Sequence, residues 1–114
     1  MSAVDNFILD QEEPQRGLLM ILNDLLMNHS GVNSAIKWGI PVYETTKYFC
    51  YITPVKKTSY VEICFKDGKL LFDPKQLLEF QNRKLFKGVM ISVLNDELLE
   101  DIDDLISESI SLIK

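Results

Sequence analysis

Residues 48–65, Tyr48-Phe49-Cys50-Tyr51-Ile52-Thr53-Pro54-Val55-Lys56-Lys57-Thr58-Ser59-Tyr60-Val61-Glu62-Ile63-Cys64-Phe65, decide the fold. Two runs of aromatic and β-branched residues, 48–53 and 60–65, flank a basic turn over 54–59. That pattern predicts an antiparallel hairpin. In the second run Val61, Ile63 and Phe65 alternate with Tyr60, Glu62, Cys64 and Lys66, so one face is apolar and the other mixed. A turn centred on Lys57 sets Cys50 opposite Cys64, at the roughly 4.5–5.5 Å of opposed strand residues and within disulfide reach. The same register puts Tyr48, Cys50, Ile52 and Tyr60 on the face away from the core.

Upstream, Val4, Phe7 and Ile8 are spaced for one amphipathic turn that Asp10 ends. Glu13-Pro14 then starts a helix with proline at its first position. Leu18, Leu22, Leu25 and Leu26 form its stripe, widened by Leu19, Ile21 and Met27, and Asn28-His29-Ser30-Gly31 ends it. Short strands follow at 35–38 and 42–44, separated by a break at Gly39-Ile40-Pro41. Downstream, Asp67-Gly68 is a turn in which Gly68 permits positive φ. Residues 70–72 extend the sheet, Asp73-Pro74 starts a short helix over 75–79, and 81–83 is a loop. Residues 88–94 read as the last strand. Asn95 caps a long helix whose core stripe is Leu98, Ile102, Leu105, Ile106, Ile110 and Ile113. The expected fold class is α+β, read as one domain over 1–114. It has two layers: an antiparallel sheet of five or six strands, with the N- and C-terminal helices packed on one face.

Of the 114 residues, 46% are apolar and 25% charged, ordinary globular usage. No apolar run reaches a membrane span, and the first residues show neither a basic nor an apolar leader region, so a secreted protein is not expected. The net charge of −5 argues against nucleic acid as a partner. That charge is segregated. Residues 95–114 carry seven acids and one base, while residues 1–94 carry eleven bases and ten acids, with basic clusters at Lys56-Lys57 and Arg83-Lys84-Lys87.

Ile36-Lys37-Trp38-Gly39-Ile40-Pro41-Val42-Tyr43 resembles the first signature of the YdhG-like family, small bacterial domains of largely unassigned function. Val61-Glu62-Ile63-Cys64-Phe65, followed by Gly68, Leu71, Asp73-Pro74 and Leu77-Leu78, resembles the second. The end of the last helix, Leu105-Ile106-Ser107-Glu108-Ser109, is similar to the family's ending. The resemblance spans nearly the whole chain. It implies a cytoplasmic protein with a curved antiparallel sheet like that of secretion chaperones. For some members it implies a frataxin-like role, carrying iron to an iron-sulfur or other cofactor assembly protein. Many members carry a Gly-x-Gly-Lys turn and an Arg-His pair after the Leu-Leu motif. Here that stretch is Phe80-Gln81-Asn82-Arg83-Lys84-Leu85-Phe86-Lys87, which keeps a base but has no histidine.

Two sites are expected. The first is the acidic helix, where Glu97, Glu100, Asp101 and Asp104 are candidate ligands for weakly bound Fe(II), a hard cation suited to carboxylate oxygens. Its like-charge pairs four apart (Asp96–Glu100, Glu97–Asp101, Glu100–Asp104, Asp104–Glu108) repel by about 1–2 kcal/mol in total. The alternative is a solvated face, or one paired with Arg83, Lys84 and Lys87. The second site is an aromatic sheet face of Trp38, Tyr43, Tyr48 and Tyr60, fit for a small ligand, a partner protein or a homodimer. His29, the single histidine, falls at a helix end, where an imidazolium is favoured. No nucleophile–base pair, zinc spacing or phosphate loop is present, so the expectation is a protein that is not an enzyme.

Overall fold

Ser2 and Asp5 open the first helix by capping each other: the Asp5 N–H donates to Ser2 Oγ at 3.0 Å, and the Ser2 N–H donates to Asp5 Oδ2 at 3.2 Å. This helix, α1, is Ala3–Leu9 and buries Val4 and Ile8. The computed structural model describes residues 2–113. The second helix, α2, is Gln15–Met27. Pro14 stands one residue earlier than the sequence suggests, at the cap. Because proline has no side-chain acceptor, the Glu13 carboxylate caps instead, accepting the Gly17 N–H at 2.8 Å. Leu18, Leu19, Leu22 and Leu26 form the buried face of α2.

Five strands follow in a simple meander: β1 Asn33–Lys37, β2 Ile40–Glu44, β3 Tyr48–Pro54, β4 Val61–Phe65 and β5 Lys87–Ile91. Each pairs antiparallel with the next, in the order β1-β2-β3-β4-β5. The β1–β2 turn is only Trp38-Gly39, at φ 55° and 76°. Positive φ at both central residues is what a tight two-residue hairpin demands. Ile40 and Pro41 therefore continue β2 rather than break the chain. The long helix α3, Asp96–Ser111, begins where Asn95 Oδ1 accepts the Leu98 N–H at 2.8 Å. Its Ile102, Leu105 and Ile106 join Val4, Ile8 and the α2 leucines over one sheet face. The fold is the expected two-layer α+β arrangement, with five strands.

The β3–β4 register differs from expectation by one residue. The hairpin loop closes where the Val55 N–H donates to the Tyr60 carbonyl at 3.0 Å, which puts the centre of the hairpin between Lys57 and Thr58. Cys50 therefore faces Phe65, and Cys64 faces Tyr51. A one-residue slip exchanges the faces of the strand. Cys50 and Ile52 point into the core, Tyr51 and Thr53 point outward, and both thiols are free. Gln15 holds this hairpin to α2. Its side-chain amide lies within 2.7–3.1 Å of the carbonyls of Val55, Thr58 and Tyr60.

The segment between β4 and β5 is also unlike the sequence reading. Residues 68–70 form a 3-10 turn, and neither a sixth strand at 70–72 nor a helix at 75–79 is present. Asp73 Oδ1 and Oδ2 accept the Leu77 and Leu78 N–H groups at 2.9 and 2.8 Å, which closes a side-chain-capped turn in place of a helix. Gly68 is needed for proximity rather than positive φ, since a Cβ there would meet Lys87 Cβ at 2.7 Å. Gly88 is more constrained still: a Cβ would fall 2.4 Å from Glu62 Oε2 and 2.8 Å from Cys64 Sγ. Urea unfolding of Gly88→Ala is expected to show a loss of about 1–3 kcal/mol, the usual cost of an overpacked interior. A stability equal to wild type would show that the strands separate at no cost.

Candidate functional site

The sheet has a second, smaller apolar surface on the side away from the helices. Register places Val42, Tyr51, Cys64 and Gly88 in one row across β2, β3, β4 and β5 on this outer face. Glu62 and Thr53 form the next row. Glu62 is only 5% exposed, and a buried carboxylate requires a partner. Arg83 supplies it with two parallel bonds, Nη1 to Oε1 at 3.1 Å and Nη2 to Oε2 at 2.7 Å. Arg83 Nε and Nη2 also donate to the Phe86 and Glu79 carbonyls, at 3.4 and 3.5 Å. Reciprocal backbone bonds between Glu79 and Gly88, at 2.8 and 2.9 Å, fasten the start of the strap to the edge of β5. Residues 79–87 thus form a strap anchored at both ends, crossing the end of the sheet.

The strap delivers Phe86. Its ring lies 5.4 Å from Tyr51 and 6.4 Å from Tyr48, nearly parallel to Tyr48 at an interplanar angle of 6°. Trp38, held outward by the tight turn, meets Tyr48 edge-on at 5.4 Å. With Ile40 and Thr53 these rings line an open depression of about 490 Å³. Trp38 is 65% exposed there. Lys66, the residue after β4, holds its ammonium 4.7 Å from the Tyr48 ring centroid.

Of the four aromatic residues expected on this face, Trp38 and Tyr48 are there. Tyr43 is in the core, fully buried, and its hydroxyl donates to Asn23 Oδ1 at 2.7 Å. Burial pushes its phenol well above the usual range, with Cys50, Asp5 and Asp24 adding to the effect. Tyr60 sits at the other end of the hairpin, outside the depression. Ile40, Tyr51, Thr53 and Phe86 are the lining residues the sequence reading missed. Correct hairpin parity would have found Tyr51; Phe86 depends on the strap.

The acids of α3 lie on the opposite layer. Lys75 Nζ bridges Glu97 Oε1 at 3.0 Å and Asp101 Oδ2 at 2.9 Å, and these bonds hold its ammonium pKa above the usual value. His29 Nε2 is 2.6 Å from Asp103 Oδ1, which ties the end of α2 to α3. Glu108 accepts the Phe72 N–H at 2.8 Å. The internal partners of the helix are therefore Lys75 and His29, while Arg83 belongs to Glu62. Glu100 and Asp104 are exposed. Among the described residues no three His, Cys, Asp or Glu side chains are grouped to hold a metal ion. No helix is long and apolar enough to cross a membrane. No family model, curated protein or solved structure matches this chain.

Removing Arg83 strands a buried carboxylate. Arg83→Met should cost about 3–5 kcal/mol in urea unfolding, and the double variant Arg83→Met/Glu62→Met should recover most of it. Equal loss in both would assign the cost to strap packing instead. Burial also pushes the Cys64 thiol up to about 12 from 9.0, and Cys50 well above its ordinary value. Below pH 9 both states hold the thiol proton, and this contribution to stability is intact. From pH 9 towards 12 the unfolded thiol ionises while the folded one does not, so stability falls. Urea midpoints measured across that window should fall less steeply in Cys64→Ala than in wild type.

Proposed function

We propose that this protein is a non-catalytic binding module and that its outer sheet face holds a small ligand. One observation carries the reading: three separate segments, the β1–β2 turn, β3 and the strap, converge their rings on a single solvent-open depression. A monomer gains nothing from exposing a tryptophan at the tip of a tight turn, and apolar surface gathered and left open marks a binding surface. The depression's size lies within the roughly 300–1,000 Å³ of small-molecule sites. A homodimer through this face is the competing use of the same surface. A stable one needs about 800 Å² per partner, far more than these six residues present. The YdhG-like resemblance and a cytoplasmic location are compatible with this proposal, and a reducing compartment would keep the two free thiols as they are.

A second reading, weak Fe(II) capture by Glu97, Glu100, Asp101 and Asp104 for delivery to a cofactor assembly protein, has one observation in its favour. Glu97 and Asp101 already converge on one cation, the Lys75 ammonium. Iron would have to displace that lysine, and a single helix offers two or three ligands, which suits release rather than storage.

One amide-shift NMR experiment addresses both. Titration with a panel of aromatic fragments is expected to move the amides of residues 38–40, 48–53 and 86–88, with sedimentation reporting a monomer throughout. Shifts confined to other surfaces, or none, would overturn the sheet-face reading. Anaerobic Fe(II) that broadens residues 97–104 in Lys75→Ala more than in wild type would support the second reading; no broadening in either would end it.

A further inference from the structure

From the charge arrangement around the depression we infer that its ligand is a flat aromatic anion, read by Lys66. This rests on the sheet-face reading above. The rings favour a planar occupant, since Tyr48 and Phe86 present parallel faces and Trp38 stands edge-on beside them. Aromatic faces alone would favour a cation. Here the place over Tyr48 is already taken by the Lys66 ammonium, whose charge repels a second cation.

Two ion pairs neutralise the carboxylates of the outer strand rows. Glu44 meets Lys37 at 3.5 Å, and Glu62 is consumed by Arg83. No carboxylate lines the depression. Among the described residues Lys66 makes no ion pair with an acid, and it is the cation that stands directly over a ring of the depression. Its backbone holds it in place, the Lys66 N–H donating to the Phe49 carbonyl at 2.9 Å at the end of the β3–β4 ladder. The ammonium at one end and the ring faces beside it match a molecule with a carboxylate at one end of a fused or single aromatic ring. Thr53, at the far end of β3, adds a hydroxyl to the lining. The acidic α3 lies on the other layer, so long-range repulsion of an anion is directed away from this face.

Three probes share one ring and differ in charge: 2-naphthoate, 2-naphthamide and 2-naphthylmethylammonium. The indole N–H signal of Trp38, the single tryptophan, reports binding at the depression itself. Naphthoate is expected to bind about tenfold more tightly than the amide, and the ammonium more weakly than either. Raising salt should erode the naphthoate advantage. In Lys66→Met the advantage should vanish while amide affinity stays within about twofold of wild type. Lys57→Met, at the distant hairpin tip, should keep it. Equal affinity for the three probes, or a preference that survives Lys66→Met, overturns the anion assignment while leaving the sheet face as a binding surface. Failure of all three to move the Trp38 signal overturns both.

Discussion

A carboxylate buried in the outer face of the sheet has to be neutralised, and that constraint shapes one side of this molecule. Glu62 is on an interior strand and only 5% exposed, and leaving it unpaired there would cost several kcal/mol. Arg83 satisfies both of its oxygens and, through the same guanidinium, two carbonyls of its own strap. The pair fits because Gly88 has no side chain to occupy the space. A pair of this kind adds little net stability over apolar packing, but it specifies one position for the strap. Phe86, three residues on, is thereby aimed at the β3 tyrosines. The depression exists because an ion pair determines where a loop lies.

On the other layer, electrostatics does different work. The α3 acids repel one another along the helix, and no base within the helix interrupts them. The structure relieves part of this by bringing positive or hydrogen-bonding groups from distant segments: Lys75, His29 and the Phe72 N–H. Each contact is exposed or half-exposed, and each is worth little alone. Together they attach the 72–78 segment and the end of α2 to one helix. The charge run thus acts as a docking rail for the chain's own loops, and the exposed Asp96, Glu100 and Asp104 are left without such a role in the described contacts.

Much of the architecture was legible because it follows from periodicity. The helical stripes of α2 and α3, the Asn95 cap and the meander of strands all express local preferences that the tertiary fold does not oppose. The errors cluster where one residue of offset matters. A hairpin centred on Lys57 exchanges Tyr51 and Thr53 for Cys50 and Ile52 on the outer face, whereas Tyr43 is inward because it faces the buried Cys50 in the β2–β3 register and Tyr60 lies at the far end of the hairpin. A sequence lacking Asn-Gly or Asp-Gly at that turn does not declare its parity. Residues 73–79 have helical composition, yet the Asp73 carboxylate diverts two N–H groups into a turn.

By itself the sequence determined the layer architecture, the antiparallel sheet and the segregation of charge, because these depend on patterns repeated over many residues and tolerate local error. Only the tertiary structure decided which side chains meet. Tyr51 faces outward because of the register of a single turn. Phe86 reaches Tyr48 because Arg83 pairs with a glutamate twenty-one residues away in the chain. Lys66 stands over a tyrosine of the neighbouring strand because the ladder ends there. Contacts of this kind depend on distances through space, which a linear pattern of residue types does not contain.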